Sequence, residues 1–176
     1  MAKITYYTSS KANDDNCVSG FSGRITTKST CGIDGTTTEN KNNIEPQITE
    51  LPTQDKRLAE LVAVQTALEH AVEMGATVGT KLSVWCEDKV IVDWIHADMH
   101  EQEFDLDSIQ EEVIQTIRGH LKRLGRKKNW GIVQVRTNDN SLSKAVQEAI
   151  GLTNNASAPA KNPLDIIAEA KEKLKN

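Results

Sequence analysis

The sequence predicts one α/β domain, a mixed sheet of five strands with helices on both of its faces. Segments of β-strand composition alternate with segments of helical periodicity in the order βββαβααβα. A chain of 176 residues with 38% hydrophobic residues can bury a core without disulfides or a structural metal. The net charge of −4 excludes a protein that is basic all over, as nucleic-acid coat proteins are, but permits a local basic surface.

The predicted strands are short and rich in β-branched and aromatic residues. They lie at 3–8, 17–36 (two antiparallel strands), 81–86 and 130–136. A turn is predicted near 27–29, inside the second of these segments. The polar stretch 37–55 carries two prolines and shows no period, so it is predicted as a long surface loop.

The predicted helices have apolar residues at helical spacing. They cover 56–74, 88–97, 108–124 and 140–150. Gly75 follows the first helix as a C-terminal stop. Ser108 with Glu111 three residues later predicts a capping box for the third helix, which Gly125 ends.

Composition divides the chain into a domain, a linker and a tail. Residues 1–151 form the predicted domain, and the small, polar stretch 152–162 is a linker. Residues 163–176 predict an amphipathic tail helix, which begins at Pro163 and ends in lysines. Two interpretations of the tail remain open: it packs back on its own domain, or it docks onto a protein partner.

The compartment is predicted from what the sequence does not contain. No apolar run approaches the roughly 20 residues that cross a bilayer, and the N-terminal residues show no signal-peptide pattern. Three cysteines are too few and too scattered for a disulfide framework. We therefore expect a cytoplasmic, intracellular protein without a membrane partner.

Four segments follow, in order, the motifs of one known family. They are 6–13 (YYTSSKAN), 59–68 (AELVAVQTAL), 82–88 (LSVWCED) and 135–144 (VRTNDNSLSK). Together they resemble the ribonuclease H family in its single-domain form, over roughly 3–150. The resemblance implies an RNase H-like mixed sheet and cleavage of RNA in RNA/DNA hybrids. In that family two Mg²⁺ ions are held by four carboxylates.

The resemblance carries over only two of the four carboxylates. Glu60 matches the helix glutamate, and Glu87, with Asp88 beside it, takes the place of the aspartate that follows the fourth strand. Tyr7 and Lys144 stand where the other two acids would be. A neutral phenol is a poor Mg²⁺ ligand, and a lysine repels the ion. We therefore expect a vestigial site without metal or cofactor, in which Lys144 pairs with Glu60 or Glu87.

Other ligand sets remain open for an active enzyme. Shifting the first strand by one or two places brings Thr8 or Ser9 to the aspartate position, neither of which is a better ligand. Three acids elsewhere are possible substitutes: Asp14, Asp15 and Asp139. If Mg²⁺ is the cofactor, its predicted ligands are Glu60, Glu87 and Asp139.

A second candidate site is a run of cations near the end of the third helix. It consists of Arg118, Lys122, Arg123, Arg126, Lys127 and Lys128. Cations at a helix C-terminus favour the helix dipole, so one interpretation is a solvated helix end. The other is a patch that contacts the phosphates of a nucleic acid.

Three hypotheses about function follow from these observations. The first is a degenerate RNase H-like domain, a pseudoenzyme that serves as a nucleic-acid-binding or assembly module. The second is an active ribonuclease H with rearranged metal ligands, acting on RNA/DNA hybrids. The third is a protein–protein adaptor that uses the same fold and the tail helix without nucleic acid. We favour the first because two acid positions are lost.

Overall fold

A mixed five-stranded sheet lies at the centre of the structure. The structure is a computed structural model and describes residues 2–76, 80–96, 107–124 and 130–134. The strands are β1 (Ala2–Ala12), β2 (Cys17–Thr30), β3 (Thr37–Leu51), β4 (Lys81–Cys86) and β5 (Trp130–Gln134). The helices are α1 (Lys56–Glu73), α2 (Lys89–His96) and α3 (Ser108–Leu124). The strand order is β3-β2-β1-β4-β5, antiparallel from β3 to β1 and parallel from β1 to β5. The predicted mixed α/β class is confirmed.

Helix α1 packs against the sheet and fixes the position of its buried side chains. The Oδ1 atom of its N-cap, Asp55, accepts a 3.1 Å hydrogen bond from the backbone N–H of Leu58. Gly75, with φ of +83°, follows the helix as predicted. The core beneath α1 draws side chains from the sheet and all three helices, including Tyr6, Phe21, Leu61, Leu68, Val84, Ile91 and Ile114. Burying each such aliphatic side chain stabilises the fold by about 1.5–3 kcal/mol.

Strand β3 occupies most of the stretch that the sequence predicts to be a loop. The loop prediction for 37–55 is therefore wrong over Thr37–Leu51. The first seven side chains of β3 are exposed, so no alternation of apolar and polar residues marks the strand. Backbone hydrogen bonds to β2 form it instead, and only Ile44 and Leu51 are buried. Pro46 is tolerated because β3 is an edge strand.

The turn between β2 and β3 lies later in the chain than predicted. The two antiparallel strands predicted within 17–36, with a turn near 27–29, are a single long strand. The chain reverses over 31–36, where Gly35 has φ of +71°. The Oδ1 atom of Asp34 accepts a 3.0 Å bond from the backbone N–H of Thr36, which stabilises the turn.

The cap of α3 is formed one residue earlier than predicted. The capping residue is Asp107 and not Ser108. The Oδ1 atom of Asp107 accepts a 2.8 Å hydrogen bond from the backbone N–H of Gln110. In return, the Oε1 atom of Gln110 accepts a 3.2 Å hydrogen bond from the backbone N–H of Asp107. The side-chain amide of Gln110 also donates a 2.7 Å bond to Asp55 Oδ2. This contact joins the N-terminus of α3 to that of α1, which explains why the Asp107 box replaces the one at Ser108.

Several predicted segments lie outside the described residues. They are the helix at 140–150, the linker 152–162, the tail helix 163–176 and the last two residues of the strand predicted at 130–136. Within the described residues, no helix is both long and apolar enough to cross a membrane.

Candidate active site at the ends of β1 and β4

Glu60 is a buried carboxyl group held between α1 and two neighbouring strands. Its side chain lies at the sheet because α1 packs across β1, and the residue is only 3% exposed. The Oγ1 hydroxyl of Thr8 on β1 donates a 2.8 Å hydrogen bond to Glu60 Oε1. The Sγ thiol of Cys86, at the end of β4, donates a 3.5 Å bond to the same oxygen. The parallel register of β1 and β4, Tyr7 opposite Trp85, brings the two donors together.

The environment of Glu60 favours the neutral acid. Burial raises the pKa of Glu60, and the negative charge of Glu87 raises it further, while the neighbouring hydroxyls of Ser10 and Thr8 offset part of the rise. Burial likewise raises the pKa of the Cys86 thiol, and the proximity of Glu60 adds to that rise. A carboxyl whose pKa is raised binds a hard cation less readily than an ionised one, because the cation must displace its proton.

Ser10 lies two residues beyond Thr8 on the same face of β1. Its hydroxyl is near the Glu60 carboxyl but makes no hydrogen bond of normal geometry with any described residue. It borders an open pocket of about 330 Å³, which is lined by Ser10, Lys56, Glu60, Glu87, Asp88 and Lys89. The pocket therefore combines buried hydroxyl and carboxyl groups with two lysines at its border.

Asp88 has a structural role at the edge of this pocket. Its Oδ2 atom accepts a 3.1 Å bond from the guanidinium of Arg57 on α1. Its Oδ1 atom accepts a 3.0 Å bond from the backbone N–H of Val90, at the N-terminus of α2. Glu87 is partly exposed beside it. The two acids that follow β4 therefore differ. Asp88 accepts a hydrogen bond at the N-terminus of α2 and pairs with Arg57, whereas Glu87 borders the pocket.

Tyr7, the residue predicted to replace the first acid, lies on the other face of the sheet. Side chains alternate along a strand, and Tyr6 and Thr8 both reach α1, through His70 and Glu60 respectively. Tyr7 must therefore point away from Glu60, and Thr8 is the β1 residue that contacts this carboxyl. The signal was present in the sequence: Ile4 and Tyr6 mark the buried face of β1, so Thr8 follows on that face.

Only part of the Mg²⁺ ligand set that the resemblance implies falls within the described residues. Within the described ranges, no three His, Cys, Asp or Glu side chains converge where they could hold a metal ion. Asp14 and Asp15 are exposed in the turn between β1 and β2. Lys144 and Asp139, the remaining predicted members of the site, lie outside the described residues.

The predicted basic patch is divided by the structure. Arg118 is half-buried and donates a 2.8 Å bond from its guanidinium to the backbone carbonyl of Trp94 in the last turn of α2, so it joins α3 to α2. Lys122 and Arg123 are exposed in the last turn of α3. The other three cations, Arg126, Lys127 and Lys128, lie outside the described residues.

Comparison with solved structures identifies the fold. An RNase H1 isolated from compost by a metagenomic approach, LC11-RNase H1, superposes with a TM-score of 0.54 and 21% identity, covering 86% of this chain and 98% of its own. The same enzyme in complex with an RNA/DNA hybrid gives a TM-score of 0.51 at 21% identity, covering 86% and 99% of the two chains. The fold is ribonuclease H-like. The resemblance noted in the sequence is confirmed at the level of the fold.

A second RNase H1 gives the same result for this RNase H-like chain. LC9-RNase H1, described as a type 1 RNase H with the type 2 active-site motif, has a TM-score of 0.56 at 11% identity. It matches 89% of this chain and 74% of its own. By sequence, no family model and no curated protein matches the chain. The fold is thus shared with these enzymes while the sequence has diverged widely from them.

Proposed function

We propose that this RNase H-like domain is a nucleic-acid-binding or assembly module that has lost metal-dependent cleavage. One observation carries the proposal: Glu60 is buried and accepts hydrogen bonds from the Thr8 hydroxyl and the Cys86 thiol. In two-metal hydrolysis one ion activates water and the other stabilises the leaving oxygen, and both need converging carboxylates. Thr8 and Cys86 supply none at this position.

Binding of nucleic acid is supported by the fold and by the placement of cations. A structural neighbour has been solved in complex with an RNA/DNA hybrid, which makes the hybrid the first ligand to test. Lys56 and Lys89 border the pocket at Glu60, and Lys122 and Arg123 are exposed at the end of α3. Lysine and arginine contacts to phosphates supply most of the affinity of sequence-tolerant binding.

The residues outside the described ranges belong to the same proposal. Of the two partners predicted for Lys144, Glu60 and Glu87, we favour Glu87, because burial raises the pKa of Glu60 and so favours its neutral form; the lysine would then replace the charge of a metal ion. Arg126, Lys127 and Lys128 would extend the cationic end of α3. The tail helix, 163–176, would be the docking element if the module assembles with a protein partner.

Binding and cleavage of an RNA/DNA hybrid, measured side by side with Mg²⁺ or Mn²⁺, test the proposal. We expect salt-dependent binding without cleavage. Cleavage that disappears in Glu60→Gln but persists in Asp93→Asn, which removes an exposed acid from α2, would overturn it in favour of an active ribonuclease H. A protein that neither binds nor cleaves the hybrid would favour the adaptor hypothesis instead.

A further inference from the structure

One face of the sheet carries a cluster of cations that is separate from the Glu60 pocket. Tyr6 and Thr8 of β1 reach α1, so Lys3 and Thr5 project from the opposite face. The same alternation holds on β4, where Leu82 and Val84 belong to the core beneath α1 and Lys81 does not. We define the basic sheet face by its five cations: Lys3, Arg24, Lys28, Lys41 and Lys81.

The register of the strands places these residues in rows. Lys41 on β3 is opposite Thr26 on β2, Thr26 is opposite Lys3 on β1, and Lys3 is opposite Lys81 on β4. Three strand spacings of about 4.8 Å separate the ends of this row, which is therefore about 14 Å wide. The next row contains only polar side chains: Asn43, Arg24, Thr5 and Ser83.

The cations of the basic sheet face are accessible and outnumber the acids that the described strands place beside them. Its four lysines are all exposed, in a protein whose net charge is −4. Two acids of β3 lie on this face: Glu39 is opposite Lys28 with its carboxylate 3.9 Å from the ammonium of Lys41, and Glu45 follows two residues after Asn43. Arg24 is partly buried, and its Nε atom donates a 3.3 Å bond to Asn43 Oδ1, which leaves the rest of its guanidinium available.

Lys3 and Lys81 lie directly opposite each other on neighbouring strands. Like charges in this arrangement destabilise a sheet, and a polyanion that neutralises both would remove the repulsion. The two rows contain no apolar side chain, whereas the buried centre of a protein–protein interface is apolar and poor in charge. The hydroxyl and amide groups between the cations are donors of the kind that bind phosphate oxygens.

We propose that the basic sheet face binds the sugar–phosphate backbone of a nucleic acid, without reading its sequence. This surface lies on the side of the sheet away from Glu60 and goes beyond the function proposed for the pocket and the end of α3. The contacts come from exposed lysine side chains and Arg24, which the strands hold in rows. They therefore follow backbone charge and tolerate any base sequence.

The test compares two variants that each remove four positive charges. One neutralises the basic sheet face: Lys3→Gln, Lys28→Gln, Lys41→Gln and Lys81→Gln. The other, called the helix-end variant below, neutralises the cations at the border of the Glu60 pocket and at the end of α3: Lys56→Gln, Lys89→Gln, Lys122→Gln and Arg123→Gln. Binding of single-stranded RNA of two unrelated sequences is measured over a range of salt concentrations, and circular dichroism verifies that both variants fold.

We expect the sheet-face variant to bind both RNAs more weakly, by at least tenfold at low salt. The slope of log affinity against log salt should shrink by about 2–3 for four lost contacts to a single strand. The helix-end variant should retain the contacts of the sheet face. Glu39→Gln should tighten binding by removing the opposing acid, whereas Asp93→Asn, with the same charge change on α2, should not.

The inference is overturned if the sheet-face variant binds RNA like wild type while the helix-end variant loses affinity. That result would still agree with the proposed function. Equal binding by wild type and both variants also overturns the inference. A third contradictory result is binding of wild type to phosphatidylserine vesicles and to no nucleic acid, since the lysines would then serve an anionic membrane surface. Loss of RNA binding in both variants supports the sheet face as one of two contributing surfaces.

Discussion

The hydroxyl of Thr8 donates a 2.8 Å hydrogen bond to the carboxyl of Glu60, joining the middle of β1 to the second turn of α1. Both residues are almost completely buried. A charged carboxylate at this depth would need a cation or several strong donors, and its described hydrogen-bond donors are the Thr8 hydroxyl and the Cys86 thiol. The contact therefore belongs to a buried polar cluster in which burial raises the pKa of the Glu60 carboxyl.

Replacing Glu60 with glutamine should change how stability depends on pH. Burial raises the pKa of Glu60 above the ordinary value of 4.5, so the folded state keeps this proton at pH values where the unfolded state loses it. The free energy of unfolding of wild type therefore falls as pH rises from about 4.5 through the folded-state pKa. Gln is neutral throughout, so Glu60→Gln should be more stable relative to wild type at pH 8 than at pH 4.

Urea unfolding at a series of pH values measures this difference. Glu45→Gln, which removes an exposed acid from β3, is the matched control and should show no such trend. If Glu60→Gln is instead less stable than wild type by a margin that widens with pH, the carboxyl is ionised and paired in the folded protein.

Removing the hydroxyl of Thr8 should destabilise the protein. Thr8→Val keeps the shape of the side chain but leaves a buried oxygen of Glu60 without its main donor. Such a loss costs about 1–3 kcal/mol. Thr8→Ser keeps the donor and should cost less than Thr8→Val, although it removes a methyl group. Equal costs for the two variants, measured by chemical denaturation, would show that packing rather than the hydrogen bond matters here.

Gly23 should not tolerate a side chain, because β1 and β2 approach closely at this point. A Cβ atom at Gly23 would lie 2.6 Å from the backbone oxygen of Thr5 and 3.0 Å from Ile44 Cδ1. Gly23→Ala should therefore destabilise the protein by about 1–3 kcal/mol. Gly32→Ala is the control, since a Cβ atom there meets nothing within 4 Å. A thermal unfolding midpoint that is unchanged in Gly23→Ala would contradict this packing.

Arg118 and Lys122 should separate stability from binding. Arg118→Gln loses the charged bond to the Trp94 carbonyl and should lower the free energy of unfolding by about 1–2 kcal/mol. Lys122→Gln, on the exposed end of α3, should leave stability within about 0.5 kcal/mol of wild type. The reverse order in denaturation experiments would mean that Arg118 is a surface cation like its neighbours.

The sequence predicts those elements whose stability depends on buried apolar side chains. The helical spacing of Leu58, Leu61 and Leu68 identifies α1, and the run KLSVWC identifies β4. Strand β3 could not be predicted in this way, because backbone pairing with β2 forms it and its exposed side chains show no pattern. The elements with buried apolar side chains are enough to predict the class of the fold. The edge strand of the sheet, β3, cannot be predicted from them.

The cap of α3 and the neighbour of Glu60 on β1 depend on different features of the fold. The boxes that begin at Asp107 and Ser108 are offset by one residue, and the contact of Gln110 with Asp55, distant in sequence, distinguishes them. At Glu60, aligning letters with a family motif assigns Tyr7 to the lost acid, with Thr8 or Ser9 as alternatives one or two places along. The alternation of side chains along β1 brings Thr8 to the carboxyl instead.

A calorimetric titration of the protein with Mn²⁺ at neutral pH tests most directly whether Glu60 is a neutral core residue rather than a metal ligand. We predict no saturable binding that distinguishes wild type from Glu60→Gln. A saturable site in wild type with a dissociation constant below about 1 mM, or roughly 4 kcal/mol of binding free energy, that is lost in Glu60→Gln would contradict it. Glu60 would then be a working metal ligand.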